Sequence, residues 1–361
     1  MNYTQISLKY RPRSFADIAG QRVSVRILKN SLLMDRLPKA VLFSGIRGTG
    51  KTTLARLYAQ ALNCPNFNGD VCNNCPSCRE ALNGTHPDIV EFDAASNNGV
   101  DFIRDLANVF KQVESFKKRV IIFDEIHMFT PQAQAALLKT LEEPPENLTF
   151  LLSTTDPDRL SDTIRSRCLS MPLKPLIPSE ISANLRSVIA QEGREASEDF
   201  VETLALQGGG SLRDVQQILD QVMLASGEGP LDLRYLEEAI GIVSVSMYKK
   251  LAAVLSSWDM KIALSQVDEW YASGMDLELL YLEGLPVLLR DFSMVLSSMG
   301  SVAPMLTGIS VEIFESKLNL SLEQVKYIST WWEKYCSMMK SSGQPKVVWA
   351  IFFVSVFGGG N

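Results

Sequence analysis

The stretch Val41-Leu42-Phe43-Ser44-Gly45-Ile46-Arg47-Gly48-Thr49-Gly50-Lys51-Thr52 decides the fold of this 361-residue chain. An apolar run predicts a short strand, a glycine-rich turn follows, and the turn opens a helical pattern over Thr53 to Leu62. Strand, loop and helix in that order are the context a phosphate-binding loop requires. The glycines let backbone N–H groups turn inward around an anion, which the helix N-terminus also favours. Lys51 is then placed to reach the β- and γ-phosphates of a nucleotide, and the Thr52 hydroxyl to hold Mg2+. Gly45, Gly48, Thr49, Gly50 and Thr53 complete the expected cofactor contacts. The bland alternative is a glycine-rich turn that matches by chance, and the flanking strand and helix weigh against it.

Outward from this loop, three further apolar runs are short and rich in β-branched or aromatic residues. They are Ile89-Val90-Glu91-Phe92, Val120-Ile121-Ile122-Phe123 and Phe150-Leu151-Leu152, with helix-length stretches between them. That rhythm predicts an α/β domain with a parallel sheet covered by helices on both faces. The run at Val120 ends in Asp124-Glu125, which sets two carboxylates at the carboxyl edge of the sheet, where open α/β folds bind ligands. Asp124 would support Mg2+ and Glu125 would polarise an attacking water. Acidic residues that merely cap a strand are common, and the phosphate loop upstream is what favours the functional reading. His127 reads as packing beside the motif. With only His86 and His127 in the chain, histidine-based hydrolysis has little material.

The next strand ends in Ser153-Thr154-Thr155-Asp156, where a hydroxyl or amide could sense a γ-phosphate or simply end the strand. Ile164-Arg165-Ser166-Arg167-Cys168 is either a solvated basic turn or a finger that reaches a neighbour's nucleotide. Gly210-Ser211-Leu212-Arg213-Asp214 begins a helix with Ser211 as N-cap. Arg213 there either touches a γ-phosphate or is a surface arginine. Cys64, Cys72, Cys75 and Cys78 give four ligands with two tight knuckle spacings, suited to a closed, structural Zn2+ site. A redox or iron–sulfur role and free cysteines are the alternatives.

Composition sets outer limits. Hydrophobic residues make up 46% and charged residues 21%, a globular balance. The N-terminus lacks an apolar core of the signal-peptide kind. The run Val347 to Phe357 falls short of the about 20 residues a spanning helix needs, and reads as a buried helix or strand. A cytoplasmic protein is expected. The net charge of −6 is uneven: residues 1–180 carry 22 Lys+Arg against 19 Asp+Glu, and the remainder 13 against 22. An acidic chain can still hold phosphates where its basic groups and helix N-termini gather, so charge alone neither supports nor excludes DNA. Prolines at 172, 175 and 178 mark a linker after the strand-rich section. A small helical section follows, with a triple glycine at Gly208 to Gly210, and then a Leu- and Met-rich section of helical spacing.

Taken together, these motifs resemble those of the bacterial clamp-loader gamma/tau subunits of DNA polymerase III, which are AAA+ ATPases. The resemblance runs from Leu8-Lys9-Tyr10-Arg11-Pro12 through the last helical section, and includes Asp124-Glu125-Ile126-His127, Leu141-Glu142-Glu143-Pro144-Pro145 and Ser166-Arg167-Cys168. The related delta-prime subunit shares the cysteines but lacks a working phosphate loop, whereas Lys51, Thr52 and Glu125 are present here. The resemblance implies a nucleotide-binding domain over 1–176 with a zinc-knuckle insertion at 64–78, a helical lid over 177–242 and an α-helical collar over 243–361. It implies that Tyr10, Arg11 and Pro12 lie near the adenine, that Thr155 is sensor 1, Arg167 the finger acting in trans, and Arg213 sensor 2. Ser96, Asn97 and Asn98 fall in a segment that, by resemblance, offers a helix N-terminus to template phosphates. The implied cofactors are ATP, Mg2+ and Zn2+. The implied partners are delta, delta-prime and further copies of the chain in a five-subunit ring, with the sliding clamp and primer–template DNA, and no membrane. Tau-type relatives carry further domains for polymerase and helicase, and this sequence stops after the collar, as either a short gamma-like form or a truncated longer chain would. Two other readings remain: a different AAA+ motor, such as a branch-migration or helicase-loading ATPase, and a non-catalytic scaffold that only binds nucleotide.

Overall fold

Five strands form one parallel sheet in the order β2-β3-β4-β1-β5 in the computed structural model, which describes residues 3–112, 118–241, 243–297, 305–318 and 320–358. The strands are β1 (Ala40–Ser44), β2 (Ile89–Asp93), β3 (Arg119–Asp124), β4 (Leu148–Thr154) and β5 (Leu169–Pro172). The four predicted runs all become strands. Side chains along a strand alternate between faces, and here both faces are apolar. β1 sends Val41 and Phe43 into one core and Ala40 and Leu42 into the other. β3 divides Val120 and Ile122 from Ile121 and Phe123, and β4 divides Leu151 from Phe150 and Leu152.

Helices fill each side. Leu54, Ala55 and Tyr58 of the helix Lys51–Leu62 cover the first face with Leu28 of the helix Arg22–Leu33. Ala133, Leu137 and Leu141 of the helix Pro131–Glu142 cover the second. On that face Phe123 lies between Phe92 and Phe150, with ring centroids 5.9 and 6.4 Å away. The strand order matters for the site. β4 separates β1 from β3, with Ser44 opposite Thr154 and Phe123 opposite Leu152. The carboxyl ends of the three strands that carry the predicted motifs therefore lie side by side.

The chain forms two compact units. One runs to Val188 and takes in Gly208–Gln217; the other comprises Ile189–Gln207 and the chain from Ile218 onward. The second unit is built of helices, among them Val245–Ser257, Met260–Ala272, Leu285–Leu296, Leu322–Ser341 and Pro345–Gly358. Side-chain caps start several of them: Ser244, Asp259, and Ser321 in a capping box with Gln324. The apolar run near the C-terminus is a core helix, with Val348, Trp349, Phe352, Phe353 and Val356 buried. Trp349 donates its indole N–H to the Leu277 carbonyl at 2.8 Å, so its one polar atom is satisfied in the core. One π-helical turn, Leu280–Gly284, is locked by a reciprocal pair: Trp332 Nε1 donates to the Tyr281 carbonyl at 3.0 Å, and the Tyr281 hydroxyl donates to the Trp332 carbonyl at 3.3 Å. No described helix is long and apolar enough to cross a membrane. Ile242, at the expected boundary between lid and collar, and the last three residues lie outside the described residues.

Phe123 has no exposed surface and holds the aromatic row together. Phe123→Ala is expected to destabilise the sheet-bearing unit by about 3–5 kcal/mol, measured as a lowered urea midpoint.

Candidate functional site

The loop after β1 closes against two other pieces of the first unit. Gly45 (φ 146°) and Gly48 (φ 77°) take backbone conformations that a side chain resists, and each is also pressed from outside. A Cβ on Gly45 would stand 2.5 Å from the Leu173 carbonyl oxygen, and one on Gly48 1.9 Å from Ser211 Oγ and 3.3 Å from Arg213 Cβ. Ser211 accepts the Asp214 N–H at 3.3 Å, which is the predicted N-cap of the helix Leu212–Ser226. Thr49 donates its hydroxyl to the Ile46 carbonyl at 2.9 Å, and Gly50 is the left-handed N-cap of the helix Lys51–Leu62. Lys51 is 5% exposed and donates to the carbonyls of Gly45 (2.9 Å) and Ile46 (3.0 Å). Burial lowers the pKa of its ammonium, an effect partly offset by Glu125 and Asp124.

Asp124 is where the motifs meet. It accepts the Thr52 hydroxyl at 3.0 Å on Oδ2, and on Oδ1 the Ser153 hydroxyl and the Glu125 N–H, the latter at 3.2 Å. Glu125 sits at φ 50°, a left-handed turn that swings its side chain toward β4. Its Oε2 accepts both the N–H and the hydroxyl of Thr155 at 2.9 Å, and lies 3.2 Å from His127 Nδ1. His127 Nδ1 is also 3.0 Å from Thr154 Oγ1. His127 thus packs beside the motif and also touches the carboxylate expected to act on water. Its place two residues past Glu125 was the only hint of that in the sequence.

Other predicted residues fall around this centre or apart from it. Arg11 donates Nε to Thr53 Oγ1 at 3.3 Å, and burial together with the like charge of Arg56 lowers the pKa of its guanidinium. Tyr10 and Pro12 are half-buried beside it. Arg213 is exposed on the turn that covers Gly48. Arg167 is engaged elsewhere, donating to the Thr163 carbonyl at 3.0 Å and to Glu142 Oε1 at 2.6 Å. In the segment 94–98, Asp93 accepts the Ala95 N–H at 2.9 Å and the Ser96 hydroxyl at 3.2 Å, Asn97 Nδ2 donates to the Asp93 carbonyl, and the Asn98 carbonyl accepts from Thr130. The turn leads into the helix Val100–Gln112, with Ser96 and Asn98 exposed.

The four clustered cysteines converge. Their sulfurs all lie within 4.8 Å of one another, and Cys72 Sγ is 3.6 Å from Cys64 Sγ and 3.8 Å from Cys78 Sγ. Thiolates about 2.3 Å from a tetrahedral ion stand about 3.8 Å apart, so the donor set fits such an ion. The backbone N–H groups of Asn74 and Cys75 lower the Cys72 thiol to about 6, while burial raises Cys64, Cys75 and Cys78. Asp70 and Asn73, inside the same loop, reach the N-terminal segment. Sequence reading missed both, because polar residues in a short loop carry no mark of a partner 55 or 60 residues away.

The family model for "DNA polymerase III, delta subunit" matches residues 20–177. The DNA polymerase III subunit gamma/tau of Mycoplasma pneumoniae is 39% identical over 74% of this chain and 40% of its own length. The DNA polymerase III subunit gamma of Buchnera aphidicola from Acyrthosiphon pisum is 34% identical over 80% of both chains. The chain spans less than half the length of the gamma/tau and tau relatives it matches. Among solved structures, the Holliday junction branch migration motor RuvB of Thermotoga maritima matches 74% of this chain and 86% of its own, with a TM-score of 0.50 and 17% identity, a likeness of AAA+ fold.

Because a Cβ on Gly48 meets both a left-handed φ and the Ser211 hydroxyl, Gly48→Ala is expected to cost about 1–3 kcal/mol of stability. Thermal denaturation measures it, and an unchanged melting temperature would contradict the packing of this turn.

Proposed function

The chain belongs to the DNA polymerase III gamma/tau family, and on that premise we propose that it is an ATP-hydrolysing motor subunit of a sliding-clamp loader. The observation that carries this reading is the convergence of Thr52, Asp124, Glu125 and Thr155 on one sheet edge through direct hydrogen bonds, with the buried Lys51 ammonium within the field of both carboxylates. In this reading Lys51 releases the loop carbonyls and takes up the β- and γ-phosphates, with the loop N–H groups around them. Thr52 and Asp124 would hold Mg2+, which when bound would supply positive charge against the phosphates. Glu125 orients a water for in-line attack on the γ-phosphorus, and ADP leaves as the bond to the bridging oxygen breaks. Thr155, which holds Glu125 here, is suited to exchange that carboxylate for a γ-phosphate oxygen. Arg11, with Tyr10 and Pro12, bounds the base side, and Arg213 couples the Ser211 turn to the phosphates.

Arg167 serves a neighbour's site in this account. Glu142 holds its guanidinium outward-facing until a neighbouring nucleotide competes for it. The remaining assignments rest on family membership. They are a lid over 177–242 and a collar over 243–361 that assembles a five-subunit ring with delta and delta-prime. The ring acts on the sliding clamp and on primer–template DNA, in the cytoplasm. ATP binding would tighten the ring and open the clamp, and hydrolysis would release the clamp closed. Ser96, Asn97 and Asn98 would meet template phosphates at a helix N-terminus. Cys64, Cys72, Cys75 and Cys78 would hold Zn2+ as a closed structural site.

The test is steady-state ATP hydrolysis by the chain mixed with delta, delta-prime and the sliding clamp, with and without primed DNA. Turnover should rise sharply with clamp and DNA together. Arg167→Ala in the assembled loader should lower it by about 10³-fold or more, and Glu125→Gln by about 10²- to 10⁴-fold with nucleotide binding kept. Turnover indifferent to the clamp would sink the proposal.

A further inference from the structure

Between Cys64 and Cys78 the loop turns two polar side chains toward the start of the chain. Asp70 accepts the Phe15 N–H on Oδ1 at 2.9 Å and the Ala16 N–H on Oδ2 at 3.1 Å. Asn73, at φ 57°, donates Nδ2 to the Arg13 carbonyl at 2.9 Å and accepts Gln60 Nε2 at 2.8 Å. Gln60 belongs to the helix that begins at Lys51. Phe15 is 2% exposed and packs in the same apolar cluster as Cys64, Val71, Cys75 and Cys78. The segment Arg13–Ala16 is thus gripped at its donors, at an acceptor and by its ring. Just before it, Arg11 reaches Thr53 at the other end of the same helix, which is 12 residues long.

We propose that the four-cysteine loop is a clasp on the nucleotide site. Asp70 and Asn73 are positioning residues that hold Arg13–Ala16, and through it Arg11 against Thr53. A metal ion held by Cys64, Cys72, Cys75 and Cys78 orders the loop between them, and so fixes where Asp70 and Asn73 stand. If the loop loosens, two backbone N–H groups and one carbonyl lose their partners together, and Arg11 loses its tether. Metal and nucleotide therefore favour one another, and the coupling is reciprocal. The inference rests on the reading of Gly45 to Thr52 as a nucleotide site.

The experiment measures ATP affinity by calorimetry and metal content by atomic absorption on the zinc-loaded 361-residue chain and its variants. Asp70→Ala and Asn73→Ala should keep one zinc per chain and bind ATP about tenfold more weakly, the scale of one lost charge-assisted or bridging contact. Asp70→Asn, which keeps one acceptor oxygen, should fall between. Saturating ATP should slow zinc release to a chelator from the unsubstituted chain, a readout that needs no variant to fold. Unchanged ATP affinity in the zinc-loaded variants, or zinc release indifferent to ATP, overturns the clasp. An unsubstituted chain that binds no ATP overturns the nucleotide site itself, and the clasp with it.

Discussion

Asp124 accepts hydrogen bonds from the Thr52 hydroxyl, the Ser153 hydroxyl and the Glu125 N–H. A carboxylate drawn partly out of water is costly unless its oxygens are paired. Its three donors come from the helix after β1, the end of β4 and the turn after β3. They converge only because β4 lies between β1 and β3 in the sheet. The same convergence brings Glu125 within reach of Thr155 and His127, at the cost of a left-handed backbone that is worth about 1 kcal/mol or more. Strand order, the turn at Glu125 and the placement of Thr52 together satisfy one charge.

The helix Lys51–Leu62 transmits that arrangement. At about 1.5 Å per residue, its 12 residues separate the phosphate loop from the start of the cysteine cluster by about 18 Å. Two-sided burial of the sheet makes it rigid, because Leu54, Ala55 and Tyr58 are fully covered. The N-terminal segment then runs back along it, fastened to the cysteine loop at Arg13–Ala16 and to Thr53 through Arg11. Electrostatics follow the same local logic. The chain is acidic, yet Lys51, Arg11, Arg56 and Arg213 gather around the phosphate loop, and Arg56 is balanced by Glu91 at 2.6 Å. Gathered cations count for more near an anion than the total charge does.

Two neighbours shape the loop itself. The Leu173 carbonyl and Ser211 occupy the space that side chains at 45 and 48 would need, so glycine is required there by contact as well as by φ. The Ser211 turn is brought in by a segment some 160 residues further on. The contact joins this loop directly to the turn that opens the helix at Leu212.

By itself the sequence determined the parts whose logic is local. Val41 to Thr52 read as strand, phosphate loop and helix. The apolar runs read as strands covered on both faces, because adjacent side chains alternate and, Glu91 apart, all of them were apolar. Asp124-Glu125 read as an acidic strand end, and the cysteine spacing read as a knuckle. Only the tertiary structure decided which of these meet: β4 between β1 and β3, Ser153 on Asp124, His127 on Glu125, Glu142 on Arg167, and Asp70 and Asn73 on the N-terminal segment. The reason is physical. Helix and strand periods are set by bonds among near neighbours and leave a pattern in the chain, whereas a long-range hydrogen bond depends on strand order and register, and its Asp, Asn or Ser looks the same in any solvated loop.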